Sequence, residues 1–458
     1  GVPAGCCIHA SPPLACIFIQ PLYKIGVFAV ELTSGFYRPV FFFMGVKMYL
    51  SLYANEKGEV LDHPNVLMLG RSGNEWLLPE ASEMMPLPRG SSLVRIPGNI
   101  PVGLDMKERL AYFEYDPLAS GQRAYAVAAL LPQGFTRTLL PACVGSSGEA
   151  LLPLLGYAAV ALKEGKIYVA AVQSDEHRKW HPHYYNTERL PVKINYMLRK
   201  YPGNLILRQL ARCSLEYGCF TAQNIFYQRW EGGIPSMKAC NAACIACISE
   251  DHCGTASPQN RLDFVPTVQE IVEVASEHLL KARDAIISFG QGCEGEPALN
   301  GKRLSQAIHR IRNLCSQGTI NMNTNAGYCE GVKLMTDAGM DSMRVTIFSA
   351  IEENYIAYHC PQDYSLADVE YSIAYAREHG VKISLNLLTF PGFTDRMEEV
   401  EALVEFVRKN QVDMIQLRNL NIDPEFLMRI FPGKSPVLGI SNFIKLLERE
   451  LPGVRIGS

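Results

Sequence analysis

From Thr267 onward, short apolar runs alternate with helix-like runs at an interval of about 30–40 residues. This rhythm constrains the fold more than any other feature of the chain. Thr267-Val-Gln-Glu270 is a capping box: a Thr hydroxyl and a Glu three residues on satisfy orphan N–H groups at a helix start. Ile271, Val274, Ala275 and Leu279 then recur at helical spacing as far as Arg283. Ala285–Phe289 is a short apolar run ending in glycine, which reads as a buried strand. The same reading predicts helices over Leu304–Ser316, Glu330–Ala338, Ser365–His379, Met397–Asn410 and Ser441–Leu451. It predicts strands over Thr319–Asn323, Ser342–Phe348, Lys382–Leu388 and Met414–Leu417. Ser365 stands at an N-cap and Gly380 just past a C-terminus. A further short strand is expected near Ile234–Lys238, giving about six βα units. Such units build a parallel sheet with outer helices, either open and doubly wound or a barrel short of the eight units of a full TIM barrel. Polar and glycine-rich positions follow the strands, at the edge where parallel α/β folds bind ligands.

The chain has 458 residues, 48% apolar and 19% charged, enough for a sizeable core and about two or three domains. A net charge of −3 argues against attachment to nucleic acid or anionic lipid by bulk charge. The 14 cysteines are far fewer than the ~8–10% of a disulfide scaffold. Residues 48–235 lack the βα rhythm. Tyr125–Leu131 and Tyr168–Val172 read as strands, and Asn204–Tyr217 as an amphipathic helix after the breaker Pro202-Gly203. The expected architecture is a smaller α+β domain over 48–235, then a partial (β/α)6 barrel over 236–458. Residues 1–47 are an atypical leader, expected to be disordered or translated upstream sequence. Their apolar runs are broken by Pro3, Pro12, Pro13 and Pro21, or are as short as Val40–Val46, and none reaches the ~20 residues of a membrane span. No signal-peptide pattern is evident. The chain ends at Gly457-Ser458 in what reads as the start of a strand.

The cysteines are unevenly placed. Cys240-Asn-Ala-Ala-Cys244-Ile-Ala-Cys247 is C-x3-C-x2-C. Three thiols this close can converge on one metal centre, and thiolates suit iron–sulfur clusters or zinc. A structural zinc site and a ferredoxin-type cluster both need four ligands. Three cysteines instead leave one iron of a [4Fe–4S] cube open, as a reactive site requires. Cys253 is the alternative fourth ligand, which would make this an electron carrier or a zinc module. Plain packing of small hydrophobic thiols is the remaining reading.

At these residues the chain resembles the radical S-adenosylmethionine (SAM) superfamily, whose members carry C-x3-C-x2-C on the loop after the first strand of a partial (β/α)6 barrel. The resemblance implies that Cys240, Cys244 and Cys247 ligate a [4Fe–4S] cluster, with SAM on the fourth iron. Ala246 stands where members usually have an aromatic residue. The implied activity is reductive cleavage of SAM to a 5′-deoxyadenosyl radical that takes hydrogen from a substrate. The implied setting is a reducing cytoplasm, with a flavodoxin or ferredoxin as electron donor.

Phe289-Gly-Gln-Gly-Cys-Glu-Gly-Glu-Pro297 has glycines that let backbone approach a ligand, and Glu296 can accept hydrogen bonds from an ammonium group. It resembles the superfamily's Gly-Gly-Glu-Pro segment for the methionyl amino group, with Glu294 replacing the first glycine. Gly292, Gly295 and Glu296 are the residues so assigned. Asn321, Asn323 and Asn325 share one face, suited to a ribose or carboxylate. Thr324-Asn325 resembles the family's Thr-Asn-Gly, with Ala326 replacing Gly; this assigns Asn323 and Asn325 to SAM. Arg344–Ser349 resembles the strand whose end touches the SAM carboxylate or ribose, here through Ser349. Asn386, within an apolar strand, needs a polar partner, either SAM or neighbouring backbone. Gln416 and Arg418 share a face, and a buried Arg implies an acidic substrate or a carboxylate.

His177, His181 and His183 are expected in a solvated loop beside Trp180, and Cys143, Cys213 and Cys219 fit no defensible cluster spacing. Cys293 is expected to pack as a small residue. The substrate is a small molecule, peptide or protein that the sequence does not name. Peptide or protein modification, including glycyl-radical activation, is preferred over nucleic acid because no basic tract appears.

Overall fold

A computed structural model describes residues 48–145, 151–175, 178–254, 256–433 and 435–457. The leader at 1–47, His177 and the terminal Ser458 lie outside the described residues. No described helix is long and apolar enough to cross a membrane.

Seven parallel strands run in chain order across one open sheet, a partial barrel. They are β1 (Arg229–Gly233), β2 (Arg283–Phe289), β3 (Thr319–Thr324), β4 (Ser342–Ile347), β5 (Lys382–Thr389), β6 (Met414–Asn419) and β7 (Arg455–Gly457). Helices Val268–Lys281, Gly301–Leu314, Cys329–Asp337, Leu366–Glu378, Met397–Lys409 and Ile440–Glu450 pack outside it. Each predicted helix and strand from Thr267 on lies within three residues of its observed limits. Thr267 and Ser365 cap their helices, each in a reciprocal box with the residue three on. The strands' outward residues are the core: Ile287, Ile320, Val345, Ile383, Leu385 and Ile415 are wholly buried against the helices. Their inward residues, mostly polar, face the lumen, with Ile286, Leu388 and Met414 among them.

The first strand departs from expectation. It lies at Arg229–Gly233, not Ile234–Lys238. Pro235 lacks an N–H for the ladder, and the chain must leave the sheet there to begin the cysteine loop. Strand β1 carries no apolar run because it places Glu231 in the lumen. Its Gly232 also admits a helix at close range: a Cβ there would meet Ile225 Cδ1 at 2.3 Å. The short β7 adds a seventh strand to the expected six.

Helices also fall on a different side of the expected boundary at 235/236. Leu190–Lys200, Leu205–Glu216 and Phe220–Tyr227 share one apolar core with the parallel sheet. Asn204 caps the second of these, accepting from Leu207 N at 3.0 Å. What precedes them is antiparallel. A sheet of twelve strands is centred on Leu50–Ala54, which pairs with Val60–Met68, Tyr125–Leu130 and Val160–Lys163. Between residues 50 and 173 the described helical turns are limited to one short 3-10 segment, Ala81–Glu83.

This antiparallel unit sits on the loops that follow β5 and β6. Asn419 accepts from Arg137 N (3.0 Å) and donates to Phe135 O (2.9 Å). Leu152 N donates to Asp423 Oδ2 (3.0 Å), and Gly73 N to Pro391 O (3.0 Å). The Arg137 guanidinium is fully buried, bonds to Leu420 O and lies over the Phe390 ring.

Candidate cofactor and substrate site

The cysteine loop leaves β1 and is clamped from two sides. On one side the glycine loop after β2 pairs with it: Gly295 N donates to Met237 O (2.7 Å) and Glu296 N to Ala239 O (2.9 Å). A Cβ at Gly295 would fall 2.0 Å from Ala239 O, so only glycine fits. Gly290, at φ +77°, is held as tightly against Asn323 O. Glu294 stitches the two loops. Its buried carboxylate accepts from Ser236 N (2.6 Å), Ser236 Oγ (2.7 Å) and Met237 N (3.1 Å), and from Gly290 N (2.7 Å) and Gln291 N (2.9 Å). Burial pushes this carboxyl up to about 7 against those donors.

On the other side lies the turn ending helix Glu352–His359. Ala243 N donates to His359 O (3.2 Å), Ile245 N to Tyr358 O (3.1 Å) and Gln362 N to Asn241 O (2.8 Å). His359 is itself buried, and burial holds its imidazole down to about 3, so the ring is neutral. Its Nδ1 is 3.4 Å from Cys244 Sγ. Cys247 Sγ lies 3.4 Å from Ser249 Oγ.

Cys240, Cys244 and Cys247 all border one cavity of about 790 Å³ at the C-terminal edge of the parallel sheet. Burial, with Glu296 next, raises the Cys240 thiol to about 11. Burial, then the Cys240 and Cys247 thiols, hold the Cys244 thiol well above its ordinary value. Thiols must lose these protons to ligate a metal. Cys253 packs with Cys244 against the same small apolar cluster but does not border the cavity. Among the described residues, no three His, Cys, Asp or Glu side chains are gathered tightly enough to hold a single metal ion.

Of the other residues singled out, Gly292, Gly295, Glu296, Asn323, Asn325 and Asn386 border the same cavity. Glu296 is only 3% exposed, and burial raises its carboxyl. It accepts from Thr324 Oγ1 (2.5 Å), Asn325 N (2.8 Å) and Ala298 N (3.0 Å), so much of its acceptor capacity already holds the end of β3. Asn325 donates in turn to Asn241 Oδ1 on the cysteine loop (2.7 Å). Asn323 donates to Phe289 O (3.1 Å), while Asn321 is deeper and bonds to Ser288 Oγ. The Asn386 Oδ1 is buried with no hydrogen-bond partner among the described residues.

Ser349 is the exception. It does not border the cavity; it is buried and donates to Glu399 Oε2 at 2.6 Å. Strand β4 ends at Ile347, so residue 349 has left the lumen-facing alternation. Thr346, paired with Asn386 across the sheet, borders the cavity from this strand instead.

Deeper in the lumen, Glu231 takes both ends of the Arg344 guanidinium (2.5 and 3.1 Å) and the Ser288 hydroxyl (2.6 Å). Arg418 donates to Gln416 Oε1 (2.6 Å), and among the described residues no carboxylate lies within ion-pair distance of it. Burial, then repulsion from Arg344, brings this guanidinium down to about 10. The antiparallel unit and the segment after it supply Gln133 and Trp180 to the cavity wall, so Trp180 is not part of a merely solvated loop. His181 spends its Nδ1 on His183 N (3.2 Å). Cys143 lies in an antiparallel strand, Cys213 within helix Leu205–Glu216, and Cys219 at the N-cap of helix Phe220–Tyr227.

From sequence no role follows for Glu231, Thr346 or His359, and Glu294 reads there only as a replacement for the first glycine of the family segment. An isolated acid in a glycine-bearing strand was a signal for Glu231. Nothing in the sequence pointed to His359, which reaches the cysteines only through the fold.

No protein-family profile matches the chain. No curated protein matches it either. Among solved structures it is similar to methylornithine synthase, with 13% identity over 51% of this chain and 68% of that one, and a TM-score of 0.35. It is similar to the radical SAM methyltransferase TsrM of Kitasatospora setae, with 20% identity over 42% of this chain and 36% of that one, TM-score 0.31. It is similar to the hydrogenase maturase HydG of Carboxydothermus hydrogenoformans, with 13% identity over 58% and 68%, TM-score 0.34. The match spans about a third of TsrM's length.

Proposed function

We propose that this chain is a radical SAM enzyme. The observation that carries the reading is the convergence of three soft thiols and a glycine–acid loop on one cavity at the C-terminal strand edge. The residues fit the two groups. The thiols offer three ligands from one clamped loop, Gly295 leaves backbone bare beside them, and the Asn386 carbonyl oxygen awaits a donor. When bound, a [4Fe–4S] cluster and SAM supply one-electron cleavage of a carbon–sulfur bond and hydrogen abstraction from substrate. Cys240, Cys244 and Cys247 would hold the cluster. Glu296 would keep Thr324 and Asn325 in place, with its remaining acceptor capacity open to the SAM ammonium. Asn386 would accept from SAM, and Thr346 takes the lumen position expected of Ser349. Arg418, whose neighbour Arg344 is already neutralised by Glu231, would anchor a carboxylate of the substrate. A reducing cytoplasm, a flavodoxin-like or ferredoxin-like donor and a peptide or protein substrate complete the proposal.

The test is anaerobic reconstitution followed by dithionite and SAM. The expected result is about four irons per chain, a SAM-dependent change in the EPR spectrum, and 5′-deoxyadenosine. Cys244→Ala should abolish the last two. No nucleoside product together with an unchanged spectrum overturns the reading. Cys253 packs against the same apolar cluster as Cys244, which favours one second reading, an electron carrier with four cysteine ligands. In that case Cys253→Ala destroys the cluster and SAM leaves the spectrum untouched.

A further inference from the structure

We propose that His359 is a positioning residue that donates a hydrogen bond to the Cys244 sulfur and thereby raises the reduction potential of the cluster. This rests on the radical SAM reading of the cysteine loop. The direction of the bond follows from the other face of the ring. Phe348 N lies 3.2 Å from His359 Nε2, and a backbone N–H can only donate. Nε2 is therefore the bare acceptor, and the ring proton of the neutral imidazole is on Nδ1. That nitrogen faces Cys244 Sγ at 3.4 Å, a normal length for N–H to sulfur.

The contact is held from three directions. The ring is 1% exposed and packs against Tyr355 and Tyr358, with centroids at 4.5 and 4.9 Å. The His359 carbonyl accepts from Ala243 N, and the Tyr358 carbonyl from Ile245 N. The main chain is thus pinned on both sides of Cys244 by the segment that carries the imidazole. A donor on a ligating sulfur draws off negative charge, favouring the reduced cluster, whose charge is more negative. Among the described residues no histidine ring nitrogen bonds to the sulfur of Cys240 or Cys247.

The experiment compares wild type with His359→Phe, which removes the donor, and His359→Asn, whose Nδ2 restores one at the position of Nδ1. At fixed applied potential, the reduced-to-oxidised ratio should fall about tenfold in His359→Phe, equivalent to ~59 mV for one electron. It should stay within about threefold of wild type in His359→Asn. Pulsed EPR of reduced wild type labelled with 15N-histidine should show a weak 15N coupling. Should His359→Phe fail to assemble, the labelled wild type and the Asn variant still decide. An unchanged ratio in His359→Phe, or no 15N coupling in wild type, overturns the inference and leaves the enzyme reading standing. A wild type that assembles no cluster overturns both.

Discussion

Gly295 is one of two glycines at the site, with Gly290, that leave no room for a side chain. Its Cα faces Ala239 O so closely that one methyl group must force the glycine loop and the cysteine loop apart. Overpacking of this kind typically costs ~1–3 kcal/mol. Here it also displaces the thiols, so Gly295→Ala should lower the iron content after reconstitution as well as the melting temperature. Normal iron loading in this variant would show that the two loops need not touch. Glu294 is the opposite case, a side chain the loop needs. Five donors converge on its carboxylate, and Glu294→Gly would leave several of them buried and unpaired, at ~1–3 kcal/mol each. Thermal unfolding should therefore report a loss of several degrees. Much of this site was legible from sequence because thiols and small residues at fixed spacing carry their meaning locally. Ser349, His359 and Glu294 were not, because their partners lie 50, 115 and 58 residues away along the chain.

Elements whose apolar residues kept a regular period were read well; those with another task were not. Strands β2 to β6 bury aliphatic side chains outward and announced themselves. Strand β1 turns Glu231 inward and gives up two positions to glycine, which hid it. Helix Leu205–Glu216 was visible, but its partner was not, because periodicity reveals a buried face and not what covers it. What covers it and its neighbours is the barrel. Helix Leu190–Lys200 is tied to helix Val268–Lys281 through Glu277, which accepts from Tyr201 (2.6 Å) and Lys281 (2.9 Å) and pairs with Lys200. Burial alone would raise this carboxyl, but Lys200, Lys281 and Tyr201 outweigh it and hold it at about 2. Its folded value is below its unfolded one, so its contribution is fully present above about pH 4.5 and lost as pH falls toward 2. Denaturant titrations across that window should show a shallower decline for Glu277→Gln than for wild type. Equal slopes would remove Glu277 from the account.

At the scale of the whole molecule, the antiparallel unit grips the barrel through its loops. Asn419 serves two backbone groups of the strand beginning at Phe135. Asn419→Ala should raise amide hydrogen exchange across 135–139 while leaving the amides of Ile383 and Leu385 protected. Loss of protection in both places would mean that the two units unfold as one. The buried Arg137 guanidinium, bonded to Leu420 O, makes the same junction polar as well as close.

That junction has a consequence for how such a molecule diversifies. The sulfur-lined end of the chamber is built by loops and a helix end of the parallel α/β unit, whereas Gln133 and Trp180 come from chain outside it. Selection can therefore remodel the vestibule, and with it the guest admitted, while the reactive end is inherited unaltered.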